Sequence, residues 1–256
     1  MKTTNLKTAA ITALFGIGLL AGCTNSTTNQ KTSDMKTLNL TQEWDKTFPQ
    51  SDKVNHSKVT FTNRYGITLA ADMYVPKNAT GKLPAIAVCG PFGAVKEQAA
   101  GLYAQTMAER GFLTVAFDPS YTGESGGEPR YVVSPDINTE DFSAAVDFLA
   151  TNDKVDPEQI GIIGICGWGG LAINAAAADP RIKATVASTM YDMSRVNANG
   201  YFDADDSAEA RNALRKKLAV QRTEDFRNGF PKPGGGVPDE LPADAPQFFK
   251  DYHAYY

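Results

Sequence analysis

The sequence predicts an α/β fold, in which a mainly parallel β-sheet is covered by helices and preceded by an antiparallel hairpin. Short apolar runs alternate with stretches of helical period, which is the pattern of repeated strand–helix–strand units. The apolar runs are continuous rather than alternating, as expected for strands that are buried on both faces. The chain has 256 residues, 42% of them hydrophobic, which is enough for one sizeable core.

The elements follow one another in a clear order. Residues 58–62 and 67–75 are rich in β-branched and aromatic side chains and flank the turn sequence Asn63-Arg64-Tyr65-Gly66, which predicts the opening hairpin. Beyond it, four further strands are predicted at residues 85–89, 113–117, 160–163 and 184–188, with helices at 96–110, 139–151 and 170–178 between them. We therefore expect six strands in one sheet.

The N-terminal residues have the features of a processed leader. Lys2 and Lys7 precede an apolar run over residues 9–20, which at 12 residues is too short for a membrane span of about 20. The sequence Leu20-Ala21-Gly22-Cys23 that follows resembles the lipobox of bacterial lipoproteins, which are cut before the cysteine and lipidated on its thiol. Residues 1–22 are thus expected to be a signal peptide and Cys23 the lipidated residue; an ordinary secretory signal with a chance cysteine is the alternative.

A lipidated Cys23 implies an extracytoplasmic protein held to a bacterial membrane by its acyl chains. Residues 23–37 are polar and lack apolar periodicity, which indicates a flexible tether. The folded core is expected at residues 38–192. After it, residues 193–256 contain a long charged helical stretch at 205–227 and a segment with repeated prolines, which excludes a central strand there.

A strand, a tight turn and a helix meet at Gly164-Ile165-Cys166-Gly167-Trp168-Gly169-Gly170. Together with the run that leads into it from Asp156, this stretch resembles the nucleophile elbow of α/β-hydrolases, in the dienelactone-hydrolase and related peptidase/esterase branch. The resemblance implies an α/β-hydrolase fold with Cys166 as nucleophile, and an ester, lactone or similar acyl compound as the small-molecule substrate. It also implies that residues 193–256 correspond to the lid that such enzymes insert after the sixth strand.

The resemblance further implies an oxyanion hole of two backbone N–H groups. One belongs to Gly167, directly after the nucleophile, and the other to the loop after the third strand, where Pro91 has no N–H and Phe92 is the expected donor. This sequence departs from the family pattern two residues after the nucleophile, where Trp168 replaces glycine. Either the flanking glycines absorb the geometry, or Trp168 itself occupies the nucleophile's place and the site is inert.

A second match to the nucleophile pattern lies in Gly123-Glu124-Ser125-Gly126-Gly127. No helix is predicted directly after it, and an elbow requires a strand before and a helix after the nucleophile. It resembles instead the loop after the fourth strand in the same superfamily. Ser125 is therefore not the expected nucleophile.

The acid and base of the expected triad are the weakest part of the pattern. The chain has two histidines, His56 and His253, and in α/β-hydrolases the histidine follows the nucleophile and the acid. His56 is expected to precede the sheet and is excluded by this order, which leaves His253 as the candidate base and Asp192, just past the sixth strand, as the candidate acid. No further strands separate the sixth strand from His253, so a C-terminally truncated hydrolase is expected.

Two other functions remain open at this point. One is a non-catalytic remnant or surface binding protein, and the other is a redox protein in which Cys89 and Cys166 form a disulfide. Nucleic acid is not an expected partner, because the formal net charge of −4 becomes −6 without Lys2 and Lys7. No metal-ligand spacing is present, and no cofactor is expected.

Overall fold

A six-stranded mixed sheet forms the centre of the computed structural model, which describes residues 38–232 and 240–255. The strand order is β1-β2-β4-β3-β5-β6. Pairing is antiparallel from β1 to β2 and from β2 to β4, and parallel across the remaining strands. The strands are β1 Val54–Thr62, β2 Thr68–Pro76, β3 Leu83–Cys89, β4 Leu113–Phe117, β5 Val155–Ile165 and β6 Ile182–Ser188.

This sheet confirms the predicted fold class, including the antiparallel hairpin at its start. One predicted boundary, the start of the first strand, was wrong, and this changes the place of His56. β1 begins at Val54, so His56 lies inside the first strand and not before the sheet. The sequence did not predict this part of the strand because it contains polar residues such as Asn55 and Ser57. An edge strand with one face exposed to solvent lacks a continuous run of apolar residues.

Within the described residues, six helices connect and flank the strands. The helix after the nucleophile candidate begins at Gly167, three residues before the predicted start. The helices are α1 Ala99–Ala108, α2 Pro135–Ala150, α3 Gly167–Ala178, α4 Met193–Asn199, α5 Ala208–Asn228 and α6 Gln247–Tyr255, with a short 3₁₀ turn at Tyr201–Asp203. The structure thus adds two short helices, α4 and α6, that the sequence did not predict.

The buried side chains form two layers, one on each face of the sheet. Along β3, Ala87 and Cys89 point into the layer that contains Phe142 of α2 and Trp168 of α3. The intervening Val88 points into the opposite layer, which contains the alanines of α1. A central strand covered on both faces needs apolar side chains at every position, which explains the continuous apolar runs of the sequence.

β6 lies at one edge of the sheet and is more exposed than β5, the strand beside it. Val186 at its middle is 51% exposed. Within residues 38–232 and 240–255, no helix is both long and apolar enough to cross a membrane. The predicted signal peptide, the lipidation site Cys23 and the tether lie outside the described residues.

Candidate active site

Cys166 occupies the turn between β5 and α3. Its backbone has φ 55° and ψ −124°, a combination that L-residues rarely adopt. Such strain persists only where the surrounding structure enforces it, and it is characteristic of functional turns. This turn joins the end of β5 directly to the start of α3 at Cys166, as a nucleophile elbow requires.

Gly164 allows β5 and α3 to approach closely enough to form this turn. A Cβ atom at Gly164 would lie 2.7 Å from Ala172 Cβ and 2.8 Å from the carbonyl carbon of Trp168. Trp168 itself lies in the first turn of α3 with its side chain 2% exposed. The alternative in which Trp168 takes the nucleophile's place therefore does not fit, because its indole is packed in the core.

The loop after β3 lies against the start of α3. The Phe92 ring comes within 3.1 Å of the position that a Gly167 Cβ would occupy, and the Phe92 and Trp168 rings are 6.0 Å apart. At Gly90, which has φ +100°, a Cβ would meet Trp168 Cβ at 2.9 Å. The first N–H groups of a helix have no intrahelical acceptor. The N–H of Gly167, at the start of α3, is one of these groups. Because the Phe92 ring lies close to Gly167, the two expected oxyanion donors, on Gly167 and Phe92, belong to adjacent segments.

A buried ion pair anchors that loop. The Lys96 backbone N–H and Nζ each donate to the Asp118 carboxylate at 2.8 Å, and both side chains are fully buried. Nζ also donates to Glu124 at 2.7 Å. Burial alone would lower the pKa of Lys96, but the surrounding carboxylates outweigh it and hold that pKa above its usual range. Sequence reasoning missed this lysine, which fixes the loop carrying Phe92 to the end of β4.

The segment after β6 returns over the nucleophile candidate. Cys166 donates its N–H to Ser188 O at 2.9 Å, and Tyr191 donates its N–H to Cys166 O at 3.2 Å. Tyr191 in turn packs edge-on against Tyr201, with ring centroids 6.0 Å apart. These tyrosines were not identified from the sequence. Their place just past the carboxyl end of β6, next to β5, was the available signal.

The candidate acid is engaged in capping a helix. Asp192 is exposed at the N-terminus of α4, where its carboxylate accepts hydrogen bonds from Arg195 N at 3.0 Å and Ser194 Oγ at 2.6 Å. These bonds lower the pKa of Asp192. The geometry is that of an ordinary N-cap.

The two histidines lie on different elements. His56 Nε2 is 2.7 Å from Asp72 Oδ1, and this pair is on β1 and β2, with β4 and β3 between it and the strand of Cys166. His253 lies on α6. Its pairing with Cys166 stays a prediction.

Two other sequence interpretations have clear outcomes. Ser125 is buried, its Oγ donating to Asp118 O at 2.7 Å and accepting from Ala70 N at 2.8 Å, so it serves to fix a loop. The Cys89–Cys166 disulfide of the redox alternative is not formed in the structure. Both thiols are free, and Cys89 points into the α2–α3 layer while Cys166 packs beside the α1 layer. Burial raises the pKa of Cys89 well above its usual value.

No cluster of candidate metal ligands occurs within the described part of the chain.

Comparison with known proteins places this geometry in a family. Residues 65–229 match the family model described as X-Pro dipeptidyl-peptidase (S15 family). An uncharacterized protein of Pseudomonas aeruginosa is 60% identical over 242 residues, 93% of this chain and 65% of its own. A thiohydrolase of Aspergillus aculeatus is 35% identical over 133 residues, 52% of this chain and 41% of its own.

Solved structures agree. The crystal structure of the Pseudomonas aeruginosa protein has a TM-score of 0.82 at 63% identity and covers 86% of this chain and 68% of its own. An α/β-hydrolase of Penicillium sp. sh18 has a TM-score of 0.57 at 25% identity and covers 68% and 56%. The chain spans less than two thirds of the length of the two curated relatives it matches. The match over residues 65–229 and the strand–turn–helix around Cys166 show that the chain belongs to the S15 family of α/β-hydrolase-fold proteins.

Proposed function

We propose that this protein hydrolyses an ester, lactone or thioester of a small-molecule acyl compound, with Cys166 as the nucleophile. The observation that carries the proposal is the strained conformation of Cys166 at the start of α3. A cysteine that only filled the core would not require this conformation. The similarity to a fungal thiohydrolase supports acyl-transfer chemistry as the reaction class.

The reaction has two steps. The Cys166 thiolate attacks the acyl carbonyl carbon, an S–C bond forms, and the bond to the leaving oxygen or sulfur breaks with its electron pair. The leaving group takes a proton from solvent or from a nearby acid. Water then attacks the thioester carbonyl carbon and gives up a proton to solvent or to a nearby base, the S–C bond breaks with its electron pair on sulfur, and the carboxylic acid and the thiolate result. In both steps the backbone N–H groups of Gly167 and Phe92 would hold the negative carbonyl oxygen.

Proton transfer is expected to be the slow part of the proposed reaction. Asp192 as acid and His253 as base remain candidates, and removal of a general base commonly lowers rates by 10²–10⁴-fold. Because the described contacts of Asp192 are those of a helix cap, we expect that water attack on the acyl-enzyme limits turnover. The chain would then acylate readily and release product slowly.

We also propose that the protein is anchored to a bacterial membrane, outside the cytoplasm, through acyl chains on Cys23. The lipobox-like sequence before Cys23 supports this. A lipid anchor would hold the hydrolase near acyl compounds at the membrane surface.

Turnover of p-nitrophenyl acetate by the full chain tests the proposal, with Cys166→Ala and His253→Ala as variants. We expect a burst of p-nitrophenolate close to one equivalent per chain, followed by slow turnover, and loss of both in Cys166→Ala. A burst that persists in Cys166→Ala would exclude Cys166. If the slow phase is lost in His253→Ala while the burst remains, His253 is the base.

A further inference from the structure

We infer that apolar and aromatic side chains beside Cys166 form a wall that selects substrates with an apolar or aromatic acyl group, with Tyr201 as a specificity-determining residue. This inference rests on the proposed function of Cys166. It concerns which acyl group the site accepts. The wall is defined by four side chains, those of Phe92, Tyr191, Met193 and Tyr201.

The backbone holds two of these residues close to the nucleophile. Tyr191 lies three residues past the end of β6 and donates its N–H to the carbonyl oxygen of Cys166 at 3.2 Å. Met193, two residues on, has Cγ and Sδ 3.1 Å from the position of a Gly167 Cβ. The ring of Phe92, on the loop after β3, also comes within 3.1 Å of that position. Two apolar side chains from different segments thus meet over the residue that follows the nucleophile.

Tyr201 extends this surface. Its ring packs edge-on against Tyr191, and burial, then Tyr191 and Cys166, raise the pKa of Tyr201. At 47% exposure, much of Tyr201 is still open to a bound molecule. On this inference, the exposed part of the ring covers an acyl group attached to Cys166.

Two charged side chains at the start of α4 are bound to partners of their own. Arg195 pairs with Asp203 at 2.6 Å, and Asp192 caps α4. An anionic acyl group would have to compete with Asp203 for Arg195, while an apolar group can pack on the wall without any polar group losing its partner. The chemistry of the wall favours hexanoyl or benzoyl groups over acetyl or succinyl groups.

The test compares acylation of Cys166 by p-nitrophenyl acetate, hexanoate and benzoate in single-turnover mixing, with intact-mass detection of the adduct. We expect hexanoyl or benzoyl transfer to exceed acetyl transfer by at least about tenfold, because a methylene in an apolar pocket contributes roughly 10–200-fold. Tyr201→Ala should reduce that ratio severalfold and Tyr201→Phe should retain it. Tyr65→Ala, on the exposed turn between β1 and β2, is the matched control and should behave as the wild type.

Different outcomes separate the two proposals. Acylation of Cys166 without preference, or loss of preference in Tyr201→Phe, overturns the apolar wall and leaves the nucleophile in place. Absence of any adduct overturns the proposed function. In that case the wall is tested by alkylation of Cys166 with iodoacetamide, measured by peptide mass, in the presence of added hexanoate, benzoate or acetate. We expect hexanoate and benzoate to slow the alkylation and acetate to leave it unchanged. Equal effects of the three acids would contradict the inference.

Discussion

Substitution of Gly164 by alanine tests whether close contact between β5 and α3 creates the nucleophile turn. The added Cβ would lie 2.7 Å from Ala172 Cβ, whereas ordinary contact begins at 3.4 Å. It would also lie 2.3 Å from Trp168 O, so α3 has to move by about 1.1 Å, and overpacking of this kind costs about 1–3 kcal/mol. Because backbone atoms obstruct the Cβ, we expect the upper end of this range.

A loss of about 3 kcal/mol corresponds to a Tm lowered by roughly 6–12 °C for a chain of this size. Displacement of the turn should also slow acylation of Cys166 by up to ~100-fold, since misplacement by about 1 Å can have that effect. Thermal unfolding by circular dichroism and burst kinetics with p-nitrophenyl hexanoate measure the two effects.

Gly170→Ala is the matched control, because it lies in the same helix and its Cβ would meet only Tyr191 O, at 3.3 Å. Its free energy of unfolding should stay within about 1 kcal/mol of the wild type, since alanine is the better helix former. If Gly164→Ala and Gly170→Ala have equal Tm values and equal burst rates, the reasoning about the turn is refuted.

Three further predictions concern the loop anchor, pH and the leader. Lys96→Met should lower the free energy of unfolding in urea by about 3–5 kcal/mol, because it leaves the Asp118 carboxylate buried without its cation. The double variant Lys96→Met with Asp118→Leu should regain most of this free energy. Equal losses in the single and double variants would contradict a buried ion pair. Burial would raise the pKa of Glu124, but hydrogen bonds from two lysines outweigh it and lower that pKa to about 2. The ionised Glu124 thus contributes to stability above the ordinary pKa of 4.5, and this contribution is lost as pH falls from about 4.5 to about 2. Glu124→Gln should therefore make the urea midpoint depend less on pH between these values. An unchanged pH dependence in the variant would argue against the two hydrogen bonds. Cys23→Ser should abolish acyl labelling and leader removal in a bacterial host, and an unchanged mature mass would refute lipidation.

The sheet was predictable from the sequence because its buried strands are apolar at successive positions. Residues 85–89 and 113–117 were predicted strands and lie within or match β3 and β4. The beginning of β1 and the helix α4 were not predicted, because a solvent-exposed edge strand and a seven-residue helix show little hydrophobic periodicity.

The site was predictable only where the chain folds back locally. The strand, turn and glycines around Cys166 stand together in the sequence, so their geometry follows from local rules. Lys96 and Asp118 are 22 positions apart, and Tyr191 and Tyr201 meet from the two sides of the short helix α4. Contacts that depend on how separate loops pack leave no spacing pattern in one sequence.

The central claim is that Cys166 is an acyl-accepting nucleophile. Intact-mass spectrometry of the full chain, quenched in acid shortly after mixing with p-nitrophenyl hexanoate, tests it most directly. The account predicts a single added hexanoyl group that peptide mapping assigns to Cys166, absent in Cys166→Ala and unchanged in Cys89→Ala. An unmodified Cys166 thiol, or a hexanoyl group located on another residue, would contradict it.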